Sequence, residues 1–257
     1  MRIFWPALLL WLTSVAVATA AWNVVSSERK DPPNEKLEHR VTVVENSETG
    51  ARATLHFALF SAEAATIRVI DQAQEPRADL AAAMEKEHAL AGVNGGYFDP
   101  EDAPVGLLVS DGRKISSLGK AKLLSGVLWS TATRVEIVRA QHFKMSRKIQ
   151  NAVQCGPLLV EREQPVAGLD DRRSARRTFA AVDGNRHTML GVCSRVSLAD
   201  LGEILSLTSV AGPRKIARAL NLDGGSSSAF WIADGGSIMS EQKTVRDFVA
   251  IVPRASR

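Results

Sequence analysis

The chain has 257 residues, 45% of them hydrophobic and 23% charged, with 18 Gly and 10 Pro. That balance excludes a disordered, collagenous or disulfide-stapled chain and leaves room for one or two ordinary domains. The 32 Lys and Arg against 28 Asp and Glu give only +4, too weak and too dispersed to predict a nucleic-acid partner.

In chain order, Met1 and Arg2 make a minimal positive start, and Ile3 to Ala20 carry no charge. Ala18-Thr19-Ala20 supplies a small-x-small cleavage pattern. The expectation is a signal peptide over 1–20, export to the periplasm or the medium, and no stable membrane insertion after cleavage; the competing reading is an uncleaved anchor. A polar lead-in over 21–40, with a Pro-containing stretch from Ser26 to Glu35, then precedes a single domain over 41–257. Arg40 to Val44 and Ala53 to Phe60 alternate as strands around the Asn46 to Gly50 turn, and Thr66 to Ile70 reads as a third strand. Asp79 to Leu90 has near-helical apolar spacing with Asp79 as cap and Gly92 as terminator.

Asp111-Gly112 marks a hairpin, and strands follow at 126–129, 135–138 and 157–160. Arg177 to Val192 reads as two strands around Asp183-Gly184-Asn185. Ser197 with Asp200 opens a helix, and a second short helix is expected over Arg214 to Ala219. A hairpin around Asp234-Gly235-Gly236 and a last strand from Phe248 to Val252 complete the chain. Strands outnumber helices and do not alternate with them, so the expected class is α+β: a mixed, largely antiparallel sheet core with a few flanking helices.

No phosphate-binding P-loop, zinc-protease helix or serine nucleophile elbow is present, and the five histidines are scattered singly. What stands out is a set of Gly-rich polar loops at strand ends: Asn94-Gly95-Gly96-Tyr97-Phe98-Asp99, Cys155-Gly156-Pro157, and Asn221-Leu222-Asp223-Gly224-Gly225-Ser226-Ser227-Ser228. Glycines there let a ligand approach backbone N–H groups, although each pair taken singly is equally a plain turn. Arg177, at the head of an apolar strand, offers a planar fork for a phosphate or carboxylate, while the rest of the Arg172 to Arg176 run reads as a solvated loop. Asp99, Glu101 and Asp102 form an acidic cluster whose spacing fits no standard cation loop.

These motifs, with Pro104 to Gly112, Gly156 to Val160, Arg177-Thr178 and Arg246 ahead of Phe248 to Val252, resemble in order those of the phosphodiester glycosidase family. The resemblance spans about Val41 to Val252. It implies hydrolysis of a sugar-1-phosphodiester of the GlcNAc-1-phosphodiester type at the glycosidic bond, on envelope or exopolysaccharide material. The chain departs from the family pattern at Ser226, where a third Gly is common, and at Ala180-Ala181-Val182-Asp183.

A sugar–phosphate bond releases a phosphate monoester, a leaving group that needs charge stabilisation more than protonation. Arg177, with Arg246 as helper, is therefore assigned to the phosphodiester. Asp223 is the first choice for the carboxylate that attacks or activates water, with Asp183 second. Asn94, Gly95, Gly96, Tyr97, Asn221, Gly224, Gly225 and Ser226 complete the expected substrate site. The partner expected is a carbohydrate phosphodiester, not nucleic acid. No cofactor is assigned, and a divalent cation is left open. Two other readings stand beside this one: an envelope module that binds glycan or anionic polymer without turnover, and a phosphodiesterase that cuts the P–O bond. In an oxidising compartment Cys155 and Cys193 are expected to form a disulfide bracing one site loop, against the alternative of two free buried thiols.

Overall fold

The computed structural model describes residues 21–30, 36–233 and 235–254. The expected leader and Asp234 lie outside the described residues. The first strands are β1 (Trp22–Lys30), β2 (Glu38–Asn46), β3 (Arg52–Ser61) and β4 (Ala65–Asp71), followed by helix α1 (Leu80–Lys86). Then come β5 (Ala91–Asn94), β6 (Leu108–Ser110), β7 (Arg113–Ser116), β8 (Gly126–Ser130), β9 (Val135–Arg139) and β10 (Asn151–Cys155). The chain continues through β11 (Leu158–Glu161), β12 (Gln164–Pro165), β13 (Ala175–Val182), β14 (His187–Val196) and helix α2 (Leu198–Ser206). It ends with β15 (Arg218–Asn221), β16 (Phe230–Ile232), β17 (Gly236–Met239) and β18 (Asp247–Pro253).

Three sheets result: an 8-stranded one in the order β1-β2-β3-β14-β13-β15-β11-β12, and two 5-stranded ones, β7-β6-β10-β8-β9 and β17-β16-β5-β18-β4. The ladders within them run antiparallel, β13 against β14 and β15, and β18 against β4 and β5. With two short α-helices among the described residues, the architecture is mostly β rather than a balanced α+β. The segment read as a lead-in contributes β1, which pairs along β2 from Trp22↔Asn46 to Lys30↔His39.

Local chemistry explains most boundaries. The β2–β3 turn is held by the Asn46 side chain, which accepts the Glu48 and Thr49 N–H groups, and Gly50 supplies φ +69. Asp79 caps α1 as expected by accepting the Ala82 N–H at 2.8 Å. The helix stops at Glu87, short of the expected Gly92, because His88 turns to φ +49 and the chain then enters β5. Gly92 serves that strand: a Cβ there would lie 2.0 Å from the Met84 sulfur. Ser197 and Asp200 form the expected capping box of α2. The expected helix over Arg214 to Ala219 is instead a turn leading into β15, whose Ala219 and Leu220 face different cores, the period-2 signature of a strand covered on both sides.

A central core forms where the three sheets meet, with Phe60, Ile67, Val93, Leu128, Val153 and Leu220 among its members. The other face of the 8-stranded sheet is closed by α2 through Leu201, Ile204 and Leu205. The outer face of the β17-to-β4 sheet is closed by α1 through Leu80 and Met84. Cys155 belongs to the central core and Cys193 to the α2 core, and both are free, buried thiols. The expected disulfide is therefore absent: the two side chains leave their sheets into different layers. Burial pushes the Cys193 thiol up to about 12, so both act as small hydrophobes.

Candidate active site

Three of the loops singled out in the sequence meet at one end of the 8-stranded sheet. The knot is Asn94, fully buried at the end of β5. Its Nδ2 donates to the Asp223 carbonyl at 2.7 Å, and its Oδ1 accepts from the Thr178 hydroxyl at 2.7 Å and the Ala229 N–H at 3.1 Å. Both ends of the amide are thus engaged within the protein, and Asn94 positions the site rather than presenting a free group to it. The Asp223 N–H donates to the Gly95 carbonyl at 3.0 Å, so the backbone of Asp223 is pinned on both sides by Asn94-Gly95. Its carboxylate accepts the Gly224 N–H at 2.9 Å. Burial pushes the Asp223 carboxyl up, against the Ser227 hydroxyl, the Gly224 N–H and the Lys243 ammonium, which pull it down.

The Cys155-Gly156-Pro157 loop joins through Tyr97. Its hydroxyl donates to the Gly156 carbonyl at 2.6 Å and accepts from Asn221 Nδ2 at 3.0 Å, while Asn221 Nδ2 also lies 3.0 Å from that carbonyl. Asn221 Oδ1 is buried with no donor among the described residues. Gly156 is required here, since a Cβ would stand 2.1 Å from the Leu123 carbonyl oxygen. Burial raises the Tyr97 hydroxyl far above its ordinary value, with Asp223 adding to the rise and Arg177 opposing it.

Arg177 is largely buried at the head of β13. Its Nε donates to the Val196 carbonyl at 3.0 Å and one Nη to the Arg173 carbonyl. A Cβ on Gly224 would lie 4.0 Å from Arg177 Cδ, so the side chain passes the last loop; desolvation lowers the guanidinium and the Tyr97 hydroxyl raises it. Arg176, read as part of a solvated run, instead holds the last loop, with Nε on the Gly225 carbonyl at 3.0 Å and Nη1 on the Ser240 carbonyl at 3.0 Å. Ser226 is exposed and its carbonyl accepts the Gln242 N–H at 2.7 Å. Gly225 sits at φ +66, and a Cβ there would meet no atom within 4 Å, so this part of the loop faces open space.

Two expected residues fall elsewhere in role or place. Asp183 lies beyond the far end of β13; six residues of strand at roughly 3.3 Å each put it about 20 Å from Arg177. There its Oδ1 accepts the Asn185 and His187 N–H groups and its Oδ2 meets His187 Nδ1 at 2.8 Å, so it builds the β13–β14 turn. Arg246 precedes Asp247, which touches the loop cluster, but its guanidinium faces the Asp71 carboxylate at 2.6 Å and its charge is spent there. The acidic cluster is likewise engaged: Asp99 accepts the Glu101 and Ala103 N–H groups, and Asp102 pairs with Arg77 at 3.0 Å. Among the described residues no group of three or more His, Cys, Asp or Glu is arranged to hold a metal ion.

Two residues of the site escaped sequence reasoning. Asp247, 1% exposed at the start of β18, accepts the Gly96 N–H at 3.0 Å, and its backbone carbonyl accepts the Gly95 N–H at 2.9 Å. The glycines of Asn94-Gly95-Gly96 therefore make room for a carboxylate: a Cβ on Gly95 would lie 1.8 Å from Asp247 Oδ1. Burial holds the Asp247 carboxyl up at about 6, against the Gly96 N–H and Arg246, with Asp71 and Asp223 adding to the rise. A charged residue heading an otherwise apolar strand is the sequence signal that marks it. Lys243, whose ammonium stands 4.6 Å over the Phe98 ring, brings a cation toward Asp223 from a loop that carries no motif.

The phosphodiester glycosidase family model matches residues 87–252, which contain every element of this cluster. The chain belongs to that family. Among solved structures it is similar to the catalytic domain of zebrafish N-acetylglucosamine-1-phosphodiester α-N-acetylglucosaminidase, described as auto-inhibited by pro-peptide. That likeness has a TM-score of 0.66 and 13% identity over 88% of each chain. A hypothetical protein from Synechocystis matches with TM-score 0.59 and 15% identity over 90% of this chain and 68% of that one. A putative exported protein from Burkholderia pseudomallei matches with TM-score 0.58 and 14% identity over 80% and 75%. At these identities the likeness is one of fold. The uncharacterized protein YigE of Escherichia coli K12 is 38% identical over 76 residues, 27% of this chain; the match spans 30% of that relative's length.

Proposed function

We propose that this family member is an exported hydrolase of sugar-1-phosphodiesters that cleaves the bond between the anomeric carbon and the phosphate oxygen. The observation that carries the reading is the half-buried Asp223, pinned by Asn94 and Gly95 and followed by Gly224, where a Cβ would lie 4.0 Å from Arg177 Cδ, in a chain of this family. A phosphate monoester leaves as a stable anion, so the barrier is lowered by cations near its oxygens more than by a proton donor. Lys243 acts on the Asp223 carboxylate, and Arg177 passes Gly224, so these two cations are assigned to the phosphate. Asp223, ionised, either attacks the anomeric carbon or removes a proton from the water that does; the C–O bond breaks and its electron pair leaves with the phosphate. Asn221, with an Oδ1 that lacks a protein donor, is assigned to a sugar hydroxyl or acyl amide, and the open loop at Gly225-Ser226 to the aglycone side. The apolar leader expected over 1–20 supports an envelope or exopolysaccharide substrate.

The test is a product-resolved assay of the purified protein on a GlcNAc-1-phosphodiester, run with and without chelator. Free sugar and a phosphate monoester are the expected products, and Asp223→Asn lowers turnover about 10²- to 10⁴-fold, the usual worth of a positioned acid or base. Unchanged turnover in a folded Asp223→Asn protein contradicts the assignment.

A further inference from the structure

The positive charge of this chain is not dispersed. Residues 112–160 contain nine Lys or Arg and a single acidic residue, Glu136, and the rest of the chain carries more acids than bases. That segment builds most of the β7-β6-β10-β8-β9 sheet. Its inner side joins the central core through Leu108, Leu128 and Val153. Its outer side, with Val109, Val127 and Ala152, is covered by no α-helix, unlike the outer faces of the other two sheets; only the short turn at Ala140–His142 and the loop after it cross it.

Between that loop and the strands lies a groove of about 460 Å³. Trp129, Val138 and Phe143 form its apolar floor, Arg134, Lys144 and Lys148 its charged rim, and no carboxylate lines it. Lys144 and Lys148 are exposed and enter no ion pair among the described residues. Arg134 lies 5.6 Å from the Trp129 ring centroid and pairs with Glu136. Beneath it the Trp129 indole N–H is buried without an acceptor. The Arg134 side chain is 57% exposed, so a ligand that draws it aside uncovers both an aromatic ring and an unspent donor.

We infer that this groove is a second, non-catalytic binding site for a polyanionic glycan, sugar rings resting on Trp129 and Phe143 and phosphates meeting Arg134, Lys144 and Lys148. Charge and floor together select the occupant: the cationic rim attracts any polyanion, and the Trp129 and Phe143 rings favour one that offers sugar-ring faces and anions in alternation over an acidic peptide. Trp129 stands opposite Ala152, and Gly156, which holds Tyr97, follows four residues later, roughly 13 Å at strand rise, so both sites lie along one strand. That the glycan is the enzyme's own polymeric substrate rests on the proposed function; that the groove binds a polyanionic glycan does not.

The experiment measures binding of a phosphodiester-linked oligosaccharide of several repeats by titration calorimetry, in the Asp223→Asn background so that no turnover intervenes. A matched neutral oligosaccharide and inorganic polyphosphate serve as controls. Lys144→Gln/Lys148→Gln, which alters only exposed side chains, is expected to weaken binding about tenfold at low salt and to flatten its salt dependence. Trp129→Ala is expected to weaken it about tenfold as well, with folding checked by thermal unfolding. In the otherwise wild-type enzyme, both changes should leave turnover of a small GlcNAc-1-phosphodiester unaltered. Affinity unchanged from the parent in both variants overturns the site, and so does polyphosphate binding as tightly as the glycan. Groove-dependent binding by a protein with no hydrolytic activity upholds this inference and refutes the proposed function.

Discussion

Asp247 offers a quantitative test of how the loop cluster is built. Replacing it with Asn keeps the shape and an oxygen that still accepts the Gly96 N–H, while removing the buried charge. In the unfolded chain the carboxyl titrates near its ordinary 3.8; in the folded protein it is held at about 6. The folded state thus keeps a proton that the unfolded state has lost. This group's contribution to stability is greatest below pH 4, declines as pH rises from 4 to 6, and stays low above 6. A difference of roughly two pKa units corresponds to about 3 kcal/mol at 1.36 kcal/mol per unit. The amide variant carries no such dependence, and any cost of placing its NH2 group is constant with pH. Urea melts of both proteins at pH 4, 5, 6 and 7.5 should show the variant gaining about 3 kcal/mol relative to the parent across that range. A difference that stays the same at every pH refutes the claim that a protonatable buried carboxylate sits under Gly95 and Gly96.

Other outcomes follow from the same geometry. Gly95→Ala, which would drive a methyl group to 1.8 Å from Asp247 Oδ1, should yield little folded protein, as read by circular dichroism of the soluble fraction, and Gly95→Ala/Asp247→Gly should recover part of it. Arg246→Ala leaves the Asp71 carboxylate with only the exposed Arg113, 3.9 Å away, and should cost about 3 kcal/mol of stability in a urea melt, whereas a phosphate-contact role would show chiefly in KM. His39, held down to about 4 by burial beside His56, is neutral in the fold, so its stabilising contribution is full above about pH 6.5 and is lost as pH falls toward 4. That acid sensitivity opposes the Asp247 effect and should stand out most clearly in urea melts of Asp247→Asn. Thiol titration of the unfolded, unreduced protein should return two free cysteines.

The strands legible in the sequence are those that alternate or that flank a recognisable turn. β2 and the first half of β3 alternate around the Asn46-to-Gly50 turn, whereas β13 and β14, buried on both faces, show themselves as apolar runs on either side of Asp183-Gly184. β5 and β10 are buried on both faces and do not alternate; Ala91-Gly92-Val93-Asn94 is too short and small to register, and Asn151 and Gln154 look like loop residues until their side chains are seen binding the backbones of Val69 and Leu107. β15, covered on both sides as well, has no alternation to separate it from the helix expected there. At the site, the Gly-rich loops announce themselves through turn chemistry, and Asp223, Asn94 and Tyr97 come with them. The roles do not follow from the letters. Asn94 and Arg246 carry the right groups but use them on protein partners, whereas Asp247 and Lys243 lie in no motif and reach the cluster only because β18 and the loop before it fold back on β5. The charge distribution is also readable but hidden by averaging: a net +4 conceals an almost acid-free segment that becomes one sheet.

The central claim is that the bond cut is the one between the anomeric carbon and the phosphate oxygen, and the position of the new oxygen tests it most directly. Hydrolysis of a GlcNAc-1-phosphodiester in ¹⁸O-labelled water, with products resolved by mass spectrometry before the reducing sugar exchanges its own oxygen, should place the label on the sugar and none on the phosphate monoester. Label on the phosphate would mean that the P–O bond is cut and would contradict the account.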